Sequence, residues 1–267
     1  MKLFYRKYGN GPALVILHGL YGSSDNWVSI AGKLSGRFTV YLPDLRNHGS
    51  SPHSGTHDYS SMASDVFEFV SDLKLRQFIL AGHSMGGKVA MKFALEWPEM
   101  LQGLIIVDIG PSGSDDPRNP FYREHRKILE ALSGSKAPES TSRDEVEKRL
   151  SPLIEDERTR SFIMKNLRRT PAGTFKWKLN IEALLANLGR ITDSVPGIDD
   201  EYAVVSGFPV IFIRGGESGY LMPESFEGIR KVFPAAEIKT VDGAGHWVHA
   251  EKPDEIIAAF LNIASGG

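Results

Sequence analysis

Ser84 lies at the centre of the pentapeptide Gly82-His83-Ser84-Met85-Gly86, which joins a predicted strand to a predicted helix. In a G-x-S-x-G turn between two such elements, the serine takes a strained backbone conformation and its hydroxyl projects from the top of the sheet. The flanking glycines are needed because strand and helix nearly touch at this point. The pentapeptide therefore predicts a serine nucleophile.

A serine hydroxyl is a poor nucleophile at its ordinary pKa and needs a general base within hydrogen-bond reach. Among the eight histidines, His246 follows the glycine-rich segment 242–245, whose loop is able to reach over a sheet. It also lies downstream of Ser84, as the chain order serine, acid, histidine requires. His249 is the competing candidate, but it lies nearer to the last predicted helix. We therefore predict His246 as the base.

A His-Gly loop at residues 18–22 follows another predicted strand. Acyl transfer requires two N–H donors aimed at the developing oxyanion, one from the residue after the nucleophile and one from a loop of this kind. The backbone N–H groups of Leu20 and Met85 are the candidates for this oxyanion hole. We expect His18 to bond loop backbone behind the site rather than to carry a proton.

The elements that must position these groups follow a strand and helix repeat. Short apolar runs, most of them unbroken, suit parallel strands covered on both faces, and they occur at residues 14–17, 38–42, 78–81, 104–107, 210–213 and 238–241. Apolar residues at helical spacing predict helices at residues 25–34, 59–73, 87–96, 223–233 and 253–263. The sequence thus indicates an α/β fold.

Strand patterns fade between the fourth and fifth of these runs. Helical patterns appear there at residues 121–132, 142–150, 156–167 and 181–188, and an alternating segment at 175–179 indicates a brief extended stretch. We predict a helical lid, residues 111–205, inserted into a core formed by residues 1–110 and 206–267. Trp177 in this lid, with Tyr21 and Trp247, is a candidate for substrate binding. The arginines of the lid are expected to form a solvated face.

The amino-acid composition argues against several classes of protein and of functional site. The chain has 267 residues, 41% hydrophobic and 24% charged, with a formal net charge of −2. This balance is that of a globular domain and argues against a nucleic-acid binder. The absence of cysteine excludes disulfides and thiolate metal sites. His48, His53 and His57 share one loop, but their spacing matches no zinc signature, so we expect neither metal nor cofactor.

No apolar run approaches the roughly 18 residues of a membrane span. Charged residues interrupt the apolar residues at the start of the chain before a signal-peptide core can form. The sequence therefore predicts a cytoplasmic protein without a membrane partner. We expect a monomer or a small homo-oligomer.

Five stretches of the sequence carry a family resemblance in combination. They are HGLYGS at residues 18–23, DLRNHGSSP at 44–52, GHSMGGK at 82–88, VDIGP at 107–111 and GAGHWVHAEKP at 243–253. On these motifs the chain resembles the α/β-hydrolase superfamily and, more closely, the YbfF-type esterases and their mitochondrial relatives. The resemblance implies an α/β-hydrolase fold, with a mostly parallel central sheet flanked by helices. The lid resembles theirs only in length and helical character.

The acid that orients the histidine has two candidates. In most α/β-hydrolases it follows the penultimate strand, where this chain has Ser218 in the expected position and Glu217 beside it. Asp108 follows the strand after the nucleophile helix, and a carboxylate there can approach the histidine from a neighbouring strand end. The resembling esterases have an acid after that strand and a serine in the usual position. We therefore predict Asp108 as the acid, with Ser218 as a possible auxiliary residue and Glu217 as the alternative.

The resemblance and the motifs together predict a cofactor-independent serine hydrolase. Its substrates are expected to be small-molecule carboxylic esters with short to medium acyl chains. A thioesterase, a cofactor-free perhydrolase and a carbon–carbon bond hydrolase share the same triad, so the motif does not separate them. A slow-turnover ligand sensor with the same pocket is the alternative from a different class.

Overall fold

The computed structural model describes residues 1–263. The strands in this range are β1 (Tyr5–Tyr8), β2 (Ala13–Leu17), β3 (Thr39–Pro43), β4 (Phe78–His83), β5 (Leu101–Val107), β6 (Leu167–Arg169), β7 (Phe175–Trp177), β8 (Val210–Gly215) and β9 (Ala236–Val241). The α-helices in the same range are α1 (Val28–Leu34), α2 (Tyr59–Asp72), α3 (Met85–Glu96), α4 (Pro120–Gly134), α5 (Arg143–Leu150), α6 (Glu157–Met164), α7 (Ile181–Ala186), α8 (Leu188–Thr192), α9 (Phe226–Val232), α10 (Val248–Glu251) and α11 (Pro253–Ile263).

Seven strands form one sheet in the order β1-β3-β2-β4-β5-β8-β9. Strands β3, β2, β4, β5, β8 and β9 pair in parallel, and β1 pairs antiparallel with β3 at one edge. The predicted α/β fold with a mostly parallel sheet is confirmed. Strand β1 was not predicted, because its sequence Tyr-Arg-Lys-Tyr lies at an exposed edge and lacks an apolar run.

Helices cover both faces of the sheet, as the unbroken apolar strands require. On one face, α1 and α11 pack against the inner strands in a cluster that includes Leu34 and Phe260. On the other face, α2, α3 and α9 bury residues such as Val66, Val89 and Ile229. Asp58 precedes helix α2 as its N-cap, and its side chain accepts a hydrogen bond from the Ser61 N–H.

The segment between β5 and β8 contains α4 to α8 and the hairpin of β6 and β7. Its buried residues, among them Leu132 and Ile163, belong to the same apolar cluster as α2 and α3. The predicted helix at 181–188 divides into α7 and α8, and the predicted helix at 156–167 ends at Met164. There the chain enters β6, which pairs with the extended segment expected at 175–179.

None of the helices within residues 1–263 is both long enough and apolar enough to cross a bilayer.

Candidate active site

Ser84 occupies the sharp turn between β4 and α3. Its backbone has φ 52° and ψ −120°, a left-handed conformation that is strained for a residue with a Cβ atom. Close backbone contact forces this turn. A Cβ atom on Gly82 would lie 2.1 Å from the Gly86 carbonyl oxygen, and one on Gly86 would lie 2.5 Å from the His18 carbonyl oxygen. The two glycines therefore allow the strand and the helix to approach closely enough to lift Ser84 out of the turn.

Asp108 follows β5 directly and is completely buried. Its backbone also has a positive φ, 52°, and its N–H donates to the Ile213 carbonyl on the neighbouring strand at 2.7 Å. The carboxylate accepts a hydrogen bond from the Gly215 N–H at 2.8 Å and one from the Ser218 hydroxyl. These donors satisfy the oxygens of the buried carboxylate.

His246 lies in the loop after β9, and its ring lies between Ser84 and Asp108. Its Nδ1 is 2.7 Å from Asp108 Oδ2, and its Nε2 is 3.0 Å from Ser84 Oγ. A carboxylate accepts and cannot donate, so Nδ1 carries the proton and Nε2 is free to accept the proton of the serine. The His83 ring donates from Nε2 to the His246 carbonyl at 2.8 Å, and the Tyr220 ring stacks on the imidazole with centroids 3.7 Å apart.

The alternative base, His249, and the alternative acid, Glu217, lie away from the Ser84 hydroxyl and the His246 ring. His249 is buried against Trp27, with ring centroids 4.6 Å apart, and burial lowers its pKa to about 3. A group with so low a pKa is a weak base at neutral pH. The Glu217 side chain is exposed, and its backbone N–H donates to the Ala244 carbonyl. The structure brings Asp108, and not Glu217, to the imidazole of His246.

The His-Gly loop lies beside the serine. Leu20 and Met85, the two predicted sources of oxyanion N–H groups, line the same cavity as Ser84. The His18 ring bonds loop backbone on the inner side, with Nδ1 2.9 Å from the Gly19 carbonyl oxygen and Nε2 accepting from the Leu45 N–H at 2.9 Å. His18 is buried, and burial lowers its pKa, so the ring holds the loop as a neutral group.

Two cavities meet at Ser84. The first has a volume of about 300 Å³ and extends past Met85 and Ile109 to Lys88 and Tyr59. The second has a volume of about 230 Å³ and is the one that His246 lines, together with Trp247 and Phe162. Leu20, His125 and Tyr220 contact both cavities. A substrate whose reacting carbonyl lies at Ser84 can therefore extend in two directions.

The model of the alpha/beta hydrolase family matches residues 14–259. The chain belongs to the alpha/beta hydrolase family. A solved structure described as a marine microorganism esterase is 41% identical, with a TM-score of 0.93, over 98% of this chain and 99% of that one.

Curated relatives agree with this membership of the alpha/beta hydrolase family. The sn-1-specific diacylglycerol lipase ABHD11 of Xenopus laevis is 37% identical over 256 residues, which is 95% of this chain and 80% of that protein. Esterase YbfF of Escherichia coli is 28% identical over 95% of this chain and 93% of its own. The predicted resemblance is confirmed, and so is the prediction of an ester hydrolase.

Of the three predicted substrate-binding residues of this hydrolase, two line the second cavity. Tyr21 and Trp247 lie there beside Ser84. Trp177 lines neither of the two cavities at Ser84 in the described part of the chain. Its indole N–H donates to the Ser135 hydroxyl at 3.0 Å inside the inserted segment. The indole is therefore placed to pack the segment and not to touch a substrate bound at Ser84.

Sequence reasoning missed three residues that surround Ser84. His125 comes from α4 and lies 3.3 Å from the Tyr21 hydroxyl, and burial lowers its pKa to about 4. Tyr220 stacks on His246 from the turn after β8. Lys88 lies one helical turn after Ser84 and lines the first cavity. Only Lys88 left a signal in the sequence, since a residue four positions after the nucleophile shares its face of the helix.

The histidine cluster of residues 48–57 is part of the framework. Burial lowers the pKa of His48 well below its ordinary value and that of His57 to about 3. His48 Nε2 accepts from the Tyr21 N–H at 3.3 Å, and His57 Nε2 lies 3.4 Å from the Met85 sulfur. Within residues 1–263, no group of three or more side chains of the types that ligate metals is arranged to hold an ion.

Proposed function

We propose that this alpha/beta hydrolase is a serine carboxylic-ester hydrolase in which Ser84, His246 and Asp108 form the catalytic triad. One observation carries the proposal. A continuous hydrogen-bonded chain runs from Ser84 Oγ to His246 Nε2 at 3.0 Å and from His246 Nδ1 to Asp108 Oδ2 at 2.7 Å. These are the distances at which a base can take the proton of a nucleophile.

In the proposed reaction, Ser84 Oγ attacks the carbonyl carbon of the ester while His246 takes the proton of the serine hydroxyl. The negative charge that develops on the carbonyl oxygen is held by the N–H groups of Leu20 and Met85, the second of which is at the positive end of α3. His246 then gives the proton to the leaving alcohol, and an acyl-enzyme remains on Ser84. A water molecule, activated by the same imidazole, hydrolyses this acyl-enzyme and restores the serine.

Asp108 keeps the imidazole in the tautomer that this sequence of proton transfers needs. Ser218 has a positioning role in the proposal. Its hydroxyl donates to the same carboxylate oxygen that His246 contacts, and it accepts from the Tyr220 N–H at 3.2 Å. The residue in the usual acid position thus supports the acid on the neighbouring strand.

The segment 111–205 is proposed to be a cap that covers the nucleophile. Its side chains contact the core loops directly: Asn166 donates to the Tyr21 carbonyl at 2.7 Å, and Asn180 donates to Asn47 at 3.0 Å. His125 closes the space above Ser84 from the same segment. The first cavity, of about 300 Å³, lies at the lower end of the roughly 300–1,000 Å³ range of ligand sites, which supports short to medium acyl chains.

The test is a substrate panel measured with wild type and with Ser84→Ala. It contains nitrophenyl esters of increasing acyl length, the corresponding acyl-CoA thioesters and a diacylglycerol, since relatives are named as diacylglycerol lipases. Steady ester turnover that Ser84→Ala lowers by at least ~10³-fold supports the proposal. Ser64→Ala is the control, because Ser64 is exposed on α2 and bonds only the Ser60 carbonyl, and we expect wild-type rates from it.

Three results would contradict the ester hydrolase. A preference for thioesters would indicate a thioesterase, and a burst of nitrophenol without sustained turnover would indicate a ligand sensor. Full activity in Ser84→Ala would refute the proposed catalytic triad.

A further inference from the structure

Lys88 is a cation inside the apolar face of the core. It lies on α3 one helical turn after Ser84, and only 3% of its surface is exposed. A lysine is almost never buried to this extent without a partner, because removing an ammonium from water costs several kcal/mol. Its presence beside the nucleophile therefore needs an explanation in terms of charge.

The ammonium contacts a carbonyl group and an aromatic ring but no carboxylate. Lys88 Nζ donates to the backbone carbonyl of Asp193 at 2.5 Å and lies 5.7 Å from the centre of the Tyr59 ring. No carboxylate lies within 4 Å of it in the described range 1–263. The Asp193 carboxylate is itself exposed and accepts from the Ser194 N–H at 2.7 Å. An ammonium has three N–H donors, so Lys88 retains capacity for a ligand.

The first cavity is lined by polar as well as apolar residues. Ser112, Ser114, Asn119 and Thr192 line this cavity together with Lys88. Burial lowers the pKa of Lys88 to about 8, and the Asp193 carboxylate acts in the opposite direction. The ammonium is therefore mostly protonated at neutral pH, so the cavity combines a positive charge with hydroxyl and amide groups.

Proton transfer decides which half of an ester lies in this cavity. The leaving alcohol must receive its proton from His246, and His246 lines the second cavity but not the first. The alcohol half therefore leaves through the second cavity, past Trp247 and Phe162. The acyl half, which stays bound to Ser84, extends along α3 into the first cavity, toward Lys88.

We propose that Lys88 is a specificity-determining residue, and that the acyl cavity selects acyl chains whose far end carries a carboxylate. The preferred substrates are then monoesters of aliphatic dicarboxylic acids. The free carboxylate accepts a charge-assisted hydrogen bond from the ammonium, and the hydroxyl groups that line the same cavity are further donors. This inference rests on the proposed ester hydrolysis, because it assigns the substrate class of that site.

The test compares two substrates of nearly equal shape that differ in charge: monomethyl adipate and the methyl ester of adipic acid monoamide. Release of methanol gives kcat/KM for each, and their ratio is the selectivity for the carboxylate. We expect wild type to prefer the carboxylate. Lys88→Met, which keeps the length of the side chain without its charge, is expected to lower that ratio by ~10-fold to ~100-fold, the effect of losing a hydrogen bond to a charged group.

Lys92→Met is the matched control. Lys92 lies one turn further along α3, pairs with Glu96 at 2.9 Å and does not line the cavity, so its selectivity ratio is expected to equal that of wild type. Lys88→Arg, which keeps the charge, is expected to retain most of the selectivity. Repeating the comparison of carboxylate and amide substrates with the corresponding glutarate and suberate esters identifies the preferred acyl-chain length.

The inference is overturned if wild type hydrolyses the methyl ester of the monoamide as fast as monomethyl adipate. This result is obtained with the wild-type protein alone and does not depend on the folding of a variant. The inference is also overturned if Lys88→Met leaves the ratio unchanged, in which case Lys88 only ties Asp193 to the core. Both results leave the ester hydrolase in place, because neutral nitrophenyl esters would still be turned over through Ser84. Loss of all ester hydrolysis in wild type would instead refute the proposed function.

Discussion

Replacing Asp108 by asparagine tests the proposed triad most directly, because it changes charge and keeps shape. Asp108 Oδ1 accepts from the Gly215 backbone N–H, and Oδ2 accepts from His246 and Ser218. The amide NH2 of an asparagine cannot face the Gly215 N–H, which is fixed in the chain and can only donate. It must therefore take the position of Oδ2 and face His246.

In that position the asparagine donates to Nδ1 of His246, which must then accept. The proton of the imidazole moves to Nε2, the atom that lies 3.0 Å from Ser84 Oγ in the wild-type protein. A protonated Nε2 cannot take the proton of the serine. We expect kcat to fall by ~10²-fold to ~10⁴-fold, the size of this effect in other serine hydrolases, or about 3 to 5 kcal/mol of transition-state stabilisation at ~1.36 kcal/mol per factor of ten.

The assay is steady-state hydrolysis of a short nitrophenyl ester, with a thermal unfolding curve for each variant to show that the fold is retained. Glu217→Gln is the control, since the Glu217 side chain is exposed on the turn after β8, and its kcat is expected to stay within about twofold of wild type. The assignment of Asp108 is refuted if Asp108→Asn keeps wild-type kcat while Glu217→Gln loses it.

Two further substitutions probe how the site is held. Ser218→Ala removes one of the donors to the buried Asp108 carboxylate, so we expect kcat to fall by about tenfold, less than for Asp108→Asn; a loss equal to that of Asp108→Asn would make Ser218 an equal partner. Gly82→Ala places a Cβ atom 2.1 Å from the Gly86 carbonyl oxygen, and we expect about 3 kcal/mol of lost stability in urea unfolding. Gly32→Ala in α1, where the same atom meets nothing within 4 Å, is expected to stabilise by about 0.5 to 1 kcal/mol; equal effects of the two would refute the steric argument.

Apolar runs predict six strands of the main sheet, and in most of them burial on both faces explains the unbroken run. Strand β9 is the exception, because it is only partly buried and its run contains Lys239 and Thr240. The sequence does not predict strand β1, because only alternate residues of its Tyr-Arg-Lys-Tyr sequence are partly buried. The sequence predicts only one strand of the β6 and β7 hairpin, because three residues per strand are too few to show a period and the helical pattern at 156–167 extends to Leu167. Short elements of this kind are fixed by tertiary packing rather than by local pattern.

For the candidate site, the sequence indicates residues that sit in motifs and omits those that reach it across the fold. Ser84 and His246 each follow a strand and lie within two residues of a glycine, so both could be predicted from the sequence. Tyr220 and His125 have no such signature. Their places beside His246 and Tyr21 depend on a turn after β8 and on a helix of the inserted segment, respectively, and neither packing arrangement is written in local sequence.

The residues alone leave two candidate acids because two strand ends converge on one point, and the family resemblance favours Asp108. In the parallel pair of β5 and β8, Val107 lies opposite Ile213, so the turns that follow them leave the sheet side by side. A carboxylate on either turn is able to approach a histidine above them. Asp108 occupies this point with a positive φ, a strain that the bonds from Gly215 and Ser218 offset. The serine after β8 therefore supports the carboxylate after β5, so residues from both strand ends hold the proposed acid in place.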